Sequence, residues 1–414
     1  MKICILNNEG MPYDTTPSYG GVQYVTQYLS EKLVDNGCEV HILTRSKSGK
    51  TNIDYRREGL WIHYNSFGSY LHFFGKKSKI KTILEMLSSP IYNIIIFNTL
   101  RKLDPEIVHC QGHHQILAAY LLKIIKGTPY VVAKHDGGKY GLFNRPFVPA
   151  LKKIWYKIPY VTATDRYVCL TNQEKNDFDM LFGANSLVIP NGVDLSVFSN
   201  SNDLDSSKKQ KYNILCVSRL CPEKGLDSLV SAIPKIREIF PKIMLFIVGD
   251  GELLHSLEKK AEEDGVQNSV IFLGSKTHEE IIEYYNNSQI YIMSSLCESF
   301  SLTILEATAC GLAIISTPVG IAPEMINKWN NGVLINSSNP DLVADAVIDL
   351  FSNRDKLEMF QHNSLKARDT ISWDTVAKRY INLYNEIIGE QQHTEMNIFH
   401  NHYLDKKKRE LKKM

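Results

Sequence analysis

The chain has 414 residues, 43% hydrophobic and 22% charged, which matches an ordinary globular protein of roughly two to three domains and excludes disordered, collagen-like and disulfide-stapled classes. Its formal net charge is only +2, so bulk electrostatics make no case for a nucleic-acid partner. That balance hides an asymmetry: residues 1–200 carry 23 Lys and Arg against 16 Asp and Glu, residues 201–390 carry 18 against 26, and residues 391–414 carry 6 against 3, a pattern of separate modules with separate surfaces.

Met1–Leu6 is an apolar run broken only by Lys2 and predicts a strand. Polar residues arrive too soon for a signal-peptide core, and no apolar run nears the roughly 18–20 residues that span a bilayer. The expectation is a cytoplasmic protein. A polar loop ends at Gly20-Gly21. Val22, Val25, Leu29 and Leu33 then step at helical spacing, Gly37 closes that helix, and Glu39–Leu43 is the next strand, completing a β-loop-α-β unit. Lys76, Lys77, Lys79 and Lys81 precede Ile83, Leu84 and Leu87, with Ile91, Ile94, Ile95, Ile96 and Phe97 beyond. Lys152, Lys153 and Lys157 stand among Trp155, Tyr156 and Tyr160. Basic residues beside apolar ones suit an anionic membrane surface. A solvated lysine face on a core helix accounts for them equally well.

Further strands are expected at Ile107–Cys110, Tyr130–Ala133, Tyr167–Leu170 and Leu187–Ile189. His109, His113 and His114 cluster near the first of these, but no carboxylate accompanies them at ligand spacing, so no metal site is expected. His135 lies just past the second; a lone His there is more often structural than catalytic. Pro190-Asn191-Gly192-Val193-Asp194 reads as a turn in which Gly192 supplies positive φ. Asn200–Lys211 is polar, lacks periodicity and reads as a linker.

A second series of strands follows at Asn213–Val217, Ile243–Val248, Val270–Leu273, Ile290–Met293, Ala313–Ser316 and Gly332–Ile335. Between them, Thr277 with Glu280 forms a capping-box pattern. Asn339-Pro340 opens a helix with Leu342, Val343, Ala346, Val347, Leu350 and Phe351 on one face. The eight cysteines contain no C-x-x-C pair, and most lie in apolar runs, so zinc and redox readings lack support. Apolar strands alternating with helices imply parallel sheets covered on both faces. The fold class is therefore α/β, with two Rossmann-like domains, 1–199 and 212–372, joined by the linker 200–211. Ligands of such sheets bind at the carboxyl ends of the strands, here in a central cleft.

Three segments of the second series carry chemistry. Val217-Ser218-Arg219-Leu220 ends its first strand, and Pro222-Glu223-Lys224-Gly225 follows. Arg219 can grip two phosphate oxygens while Lys224 acts as a point charge. Gly249-Asp250-Gly251 ends the next strand, and its glycines would let backbone approach a ligand. Leu296–Gly311 reads LCESFSLTILEATACG and starts a helix near Ser301. The amides of Ser299, Phe300, Ser301, Leu302 and Thr303 would be free there to receive phosphate. Glu298 and Glu306 flank that site and could bind sugar hydroxyls; a capping Glu298 and a surface Glu306 are equally open on residue types alone.

In this order and spacing, these segments resemble the retaining nucleotide-sugar glycosyltransferases of family 4, group 1, which have the GT-B fold. The match spans roughly Asn213–Trp373. The resemblance implies that Glu298 contacts the transferred sugar, Glu306 the ribose hydroxyls, and Arg219 and Lys224 the diphosphate. It also implies a glycine loop at Gly20 and Gly21 that approaches the donor phosphates across the cleft, an active-site His at His135, and catalysis without a metal. A closing helix, 373–390, would cross back onto the first domain and leave 391–414 as a basic tail. Three positions depart from the family pattern. Ser218 and Ser301 replace glycines, and Asp136 replaces the Gly that commonly follows the active-site His.

The resulting expectation is a cytoplasmic retaining glycosyltransferase, peripheral on the inner face of a membrane if the basic half binds lipid. Its partners would be a nucleotide-sugar donor and a glycan or lipid-linked acceptor, in cell-surface polysaccharide or glycoconjugate synthesis. A sugar-nucleotide epimerase on the same architecture and a non-catalytic carbohydrate-binding protein are the rivals. No strand ends in a full dinucleotide fingerprint, which argues against an NAD dehydrogenase.

Overall fold

Apolar runs fold as strands covered on both faces, and the structure assembles them into two sheets. It is a computed structural model that describes residues 1–7, 11, 21–46, 51–67, 79–112, 115–135, 163–183, 186–198 and 212–391. The first sheet contains β1 (Lys2–Leu6), β2 (Glu39–Arg45), β3 (Asn52–Arg57), β4 (Leu60–Asn65), β5 (Ile107–Gln111), β6 (Tyr130–Ala133), β7 (Arg166–Cys169) and β8 (Ser186–Val188). Their order is β3-β4-β2-β1-β5-β6-β7-β8. All pairings are parallel except that of β3 with β4. The second sheet is wholly parallel and holds β9 (Tyr212–Val217), β10 (Ile243–Val248), β11 (Val270–Phe272), β12 (Ile290–Met293), β13 (Ala313–Ser316) and β14 (Gly332–Leu334), in the order β11-β10-β9-β12-β13-β14.

The hairpin β3–β4 is absent from the sequence reading. Its first strand, NIDYRR, is almost entirely exposed and lacks an apolar run. Gly59, with φ +85°, makes the turn, and the pair forms the sheet's edge, where charged side chains are tolerated.

Helices α1 (Gly21–Asp35), α2 (Lys79–Leu103), α3 (Ile116–Lys126) and α4 (Asn172–Phe182) serve the first sheet. The second has α5 (Leu226–Ile239), α6 (Leu254–Glu263), α7 (His278–Asn287), α8 (Leu302–Ala309), α9 (Ala322–Trp329), α10 (Pro340–Ser352) and α11 (Arg354–Ala367). The expected capping box is present: Thr277 Oγ1 accepts from Glu280 N, and Thr277 N donates to Glu280 Oε2. Asn339 caps α10, whose buried face is Val343, Ala344, Val347 and Leu350; Leu342 is 42% exposed, so the apolar face is narrower than expected. No helix among the described residues is long and apolar enough to cross a membrane.

A last helix, α12 (373–391), returns to the first sheet. Its Trp373, Val376, Ala377, Tyr380, Leu383, Tyr384 and Ile387 pack with Ile3, Ile5 and Val131. Gly192 sits at its start, and it is not the positive-φ turn glycine that the sequence predicts. The φ of Gly192 lies outside the left-handed region. What glycine supplies is room: a Cβ would lie 2.7 Å from Trp373 N and 2.8 Å from its Cα. Backbone bonds from Val193 N to Ile371 O (2.8 Å) and from Trp373 N to Val193 O (3.2 Å) lock the contact.

Each sheet reverses its winding once. In the first, the chain moves from β1 outward to β2 on one side and later to β5 on the other; in the second, from β9 to β10 and later to β12. Such reversals open a crevice at the strands' carboxyl ends.

Candidate active site

The second crevice lies between β9 and β12, and the loops leaving these strands are bound to each other. Gly225, with φ +62°, approaches so closely that a Cβ would be 2.4 Å from Ser294 O. Ser294 Oγ donates to Lys224 O at 2.9 Å, and Leu296 N to Glu223 O at 2.8 Å. These contacts fix Lys224 beside Glu298. Lys224 Nζ lies 2.5 Å from Glu298 Oε1, and Ser295 Oγ donates to the same oxygen at 2.8 Å. Both side chains of the pair are mostly buried, 13% and 16% exposed, so the Coulomb attraction is little screened. Arg219 is exposed at the mouth of the crevice. Glu298 therefore does not cap α8.

Helix α8 begins with Ser301 as its N-cap residue, at φ +79°, without a side-chain cap bond. Among the described residues, the backbone amides of Ser299 to Thr303 donate to no protein group. Beneath them sits Gly320, where a Cβ would be 2.5 Å from Phe300 O. The glycines of Gly249-Asp250-Gly251 admit protein backbone. A Cβ on Gly249 would lie 1.9 Å from Ser218 O, and one on Gly251 2.3 Å from Leu220 O. They thus hold the Arg219 loop, and Leu220 N donates to Asp250 O at 2.9 Å.

Glu306 is no surface residue. It is 9% exposed, and its Oε2 accepts from the buried Tyr285 hydroxyl at 2.6 Å. Burial raises its pKa, which nearby His278 and the Tyr285 bond partly oppose. It lines a small pocket together with Tyr24, Tyr28, His278, Leu302 and Trp373. This pocket spans both sheets' layers. Tyr28 and His278 Nδ1 are 3.2 Å apart, and Tyr24 packs on the His278 ring at 4.5 Å between centroids. Gly21, the one described residue of the expected glycine loop, would place a Cβ 3.5 Å from Leu302 Cδ1, so α1 begins directly opposite the start of α8.

The first crevice lies between β1 and β5. His135, half-buried beyond β6, bonds through Nε2 to Gln111 Oε1 at the end of β5. His109 is fully buried behind them, against Tyr380 and Tyr384, with Nδ1 2.5 Å from the Tyr384 hydroxyl. Burial, reinforced by His135, lowers its pKa to about 3, so it is a neutral core residue. Gly20, His113, His114, Asp136, Lys76, Lys77, the basic-aromatic group at 152–160, the linker 200–211 and the tail from 392 lie outside the described residues.

Sequence reasoning found Arg219, Lys224, Glu298, Glu306 and His135 but missed Ser295, Gly225, Gly320, Tyr285, His278 and Gln111. Only the glycines left a trace in the sequence. The others act through contacts between distant segments.

Comparison with known proteins gives a consistent picture. A model of glycosyl transferases group 1 matches residues 200–367, and one of glycosyltransferase family 4 matches residues 19–197. The GPI3 subunit of phosphatidylinositol N-acetylglucosaminyltransferase from Saccharomyces cerevisiae is 27% identical over 90% of this chain and 81% of its own length. A GDP-mannose-dependent alpha-(1-6)-phosphatidylinositol monomannoside mannosyltransferase of Mycolicibacterium smegmatis is 28% identical over 55% of this chain and 62% of its own. Among solved structures, sucrose-phosphate synthase from Thermosynechococcus elongatus superposes with a TM-score of 0.78 at 18% identity, covering 94% of this chain and 99% of that one. HepE of Anabaena in complex with UDP gives 0.69 at 17% identity, covering 93% and 100%.

Proposed function

This chain belongs to the group 1 glycosyltransferases of the GT-B fold, and from that premise we propose that it transfers a sugar, with retention, from a nucleoside diphosphate to a hydroxyl on a lipid-linked acceptor. The observation that carries this is the crevice between β9 and β12, where Arg219, the Lys224–Glu298 pair and the amides of Ser299 to Thr303 converge. Cations and helix-start amides meet a diphosphate's charge, and a carboxylate beside them accepts from sugar hydroxyls.

In this reading, Arg219, Lys224 and the α8 amides hold the diphosphate and stabilise it as it leaves; no metal is required for that charge. Glu298 orients the sugar, Glu306 the ribose, and His135 faces the reacting ring from the first domain. The acceptor attacks on the face the diphosphate leaves, and a leaving phosphate oxygen takes its proton. Fixed donors aimed at developing charge need no reorganisation, so removal of one costs about a hundredfold or more in kcat. A thermal-shift screen of UDP-, GDP- and ADP-sugars tests the donor class, because a ligand of the folded state raises the apparent stability. A response to none of them at millimolar levels overturns the reading.

A lipid-linked acceptor is favoured by the two curated relatives, whose names place phosphatidylinositol-based lipids as their substrates. The outward face of α2 fits a protein that sits peripherally on the cytoplasmic side of a membrane. Ile91 and Ile94 are 51% and 52% exposed there, in line with Arg101, and apolar residues beside cations bind anionic lipid. Flotation with vesicles containing anionic lipid should carry the protein upward in low salt and release it in high salt.

A further inference from the structure

The crevice of the first sheet contains a polar group that no partner among the described residues satisfies. Gln111 ends β5, at the reversal where the chain's path leaves β1 in two directions, and it is 8% exposed. Its Oε1 is used by His135 Nε2. Its Nε2 is buried and has no hydrogen-bond partner among the described residues. An amide carries two donors and an acceptor at opposite corners of one rigid plane. Turning the amide over would leave the oxygen unpaired instead. A buried polar atom of this kind costs free energy until a ligand pairs it.

Resting on the glycosyltransferase reading above, we infer that Gln111 is a specificity residue for the transferred sugar. One amide atom holds His135, and the other donates to a hydroxyl of the donor's sugar ring. Three features of its surroundings agree. Gln111 pairs in register with Ala133 on β6, two residues before His135, so the two side chains enter the site from adjacent strands. Gly112, at φ +98°, turns the chain immediately after it, and Gly112 N donates to Ala133 O at 2.9 Å. The strand end is thereby fixed rather than left to a loop. Acceptance from His135 Nε2–H also selects the imidazole tautomer whose Nδ1 is unprotonated. Gln111 thus positions His135 and reads the sugar with a single group.

The experiment compares wild type with Gln111→Leu, which removes both amide functions, and Gln111→Glu, which keeps an acceptor for His135 and removes the donor. Affinities are measured calorimetrically for UDP and GDP, and for UDP-N-acetylglucosamine, UDP-glucose and GDP-mannose. Both variants should bind the free nucleotide as wild type does, since that part of the donor lies on the second domain. Both should bind the matching sugar nucleotide about tenfold more weakly, as expected for one lost hydrogen bond to a buried group. In long-range proton–nitrogen spectra, Gln111→Glu should preserve the His135 tautomer and raise its titration midpoint, while Gln111→Leu should release the tautomer. Unchanged sugar-nucleotide affinity in Gln111→Leu overturns the inference and leaves the functional reading standing. An equal loss of free-nucleotide affinity overturns it as well, by showing a structural role. A wild-type protein that binds none of the sugar nucleotides overturns both.

Discussion

Lys224 Nζ lies 2.5 Å from Glu298 Oε1, although 74 residues separate them in the chain. The two groups assigned to diphosphate and sugar are thus one ion pair before any donor arrives. Each holds the other in place in a crevice that mostly excludes water. In the proposed function a donor would meet a preformed dipole, its phosphates approaching the ammonium and its sugar hydroxyls the carboxylate.

Removing one partner should expose this coupling. Lys224→Met leaves a largely buried carboxylate without its counter-ion and should lower stability by about 3 kcal/mol. Adding Glu298→Gln removes that charge and should restore much of the stability, with transfer still abolished. Urea midpoints beside turnover make the comparison. A double variant no more stable than Lys224→Met would show that the unpaired carboxylate is not what destabilises the single variant.

Ser301 makes a second case. Its φ of +79° is a conformation that a Cβ disfavours, and among the described residues its Oγ reaches only Thr303 Oγ1, at 3.1 Å. Ser301→Gly should relieve that strain and raise stability by about 1 kcal/mol, while the α8 amides keep their place. Donor affinity should not fall. A destabilised Ser301→Gly protein would show that the Thr303 contact outweighs the backbone strain.

Acid should unfold this protein partly through His109. Burial holds its folded pKa at about 3, below the ordinary value near 6.5. The unfolded chain therefore binds a proton first as pH falls. The stability that neutral His109 contributes is fully present above about pH 6.5 and is lost progressively toward pH 3, with about 2 kcal/mol gone by pH 5. His63, held at about 4 by burial and by His41, acts in the same direction. His109→Gln should flatten the slope of stability between pH 6.5 and 5, measured as urea midpoints. An unchanged slope would assign the acid sensitivity elsewhere.

The apolar strand runs and their carboxyl-end residues were legible because burial on both faces imposes composition, and because Arg219 and His135 interrupt that composition just past the strands' ends. The β3–β4 hairpin was not, since an edge strand needs no apolar face. Glu306 was legible as a position, yet its burial under Tyr285 depends on how α7 packs on α8. Gln111 drew no notice beside three histidines. Its significance comes from an unpaired nitrogen, and pairing is a property of neighbours that the chain's order does not reveal. Gly192 reads in the sequence as a turn glycine, but its need for room arises from Trp373, 181 residues onward.

Across the cleft, Asn172 at the start of α4 donates its backbone N–H to Glu324 Oε1 at 2.5 Å and its Nδ2 to Oε2 at 2.7 Å. The carboxylate of α9 thereby meets the positive end of a helix on the other sheet. With the Tyr28–His278 contact, it clasps the two halves together. Closure of this kind excludes water from the donor. Because the contact is exposed, it should contribute only about 1 kcal/mol, which is roughly a fivefold shift between open and closed forms. Glu324→Ala should therefore enlarge the radius of gyration measured by small-angle scattering. If the donor binds the closed form, its apparent affinity falls by the lost closed fraction, up to about fivefold, and donor hydrolysis without acceptor rises relative to transfer. A scattering profile identical to wild type would mean that other contacts across the cleft suffice to hold the halves closed, and adding Tyr28→Phe, which removes the hydroxyl facing His278, to the Glu324→Ala background should then produce the opening that the single change did not.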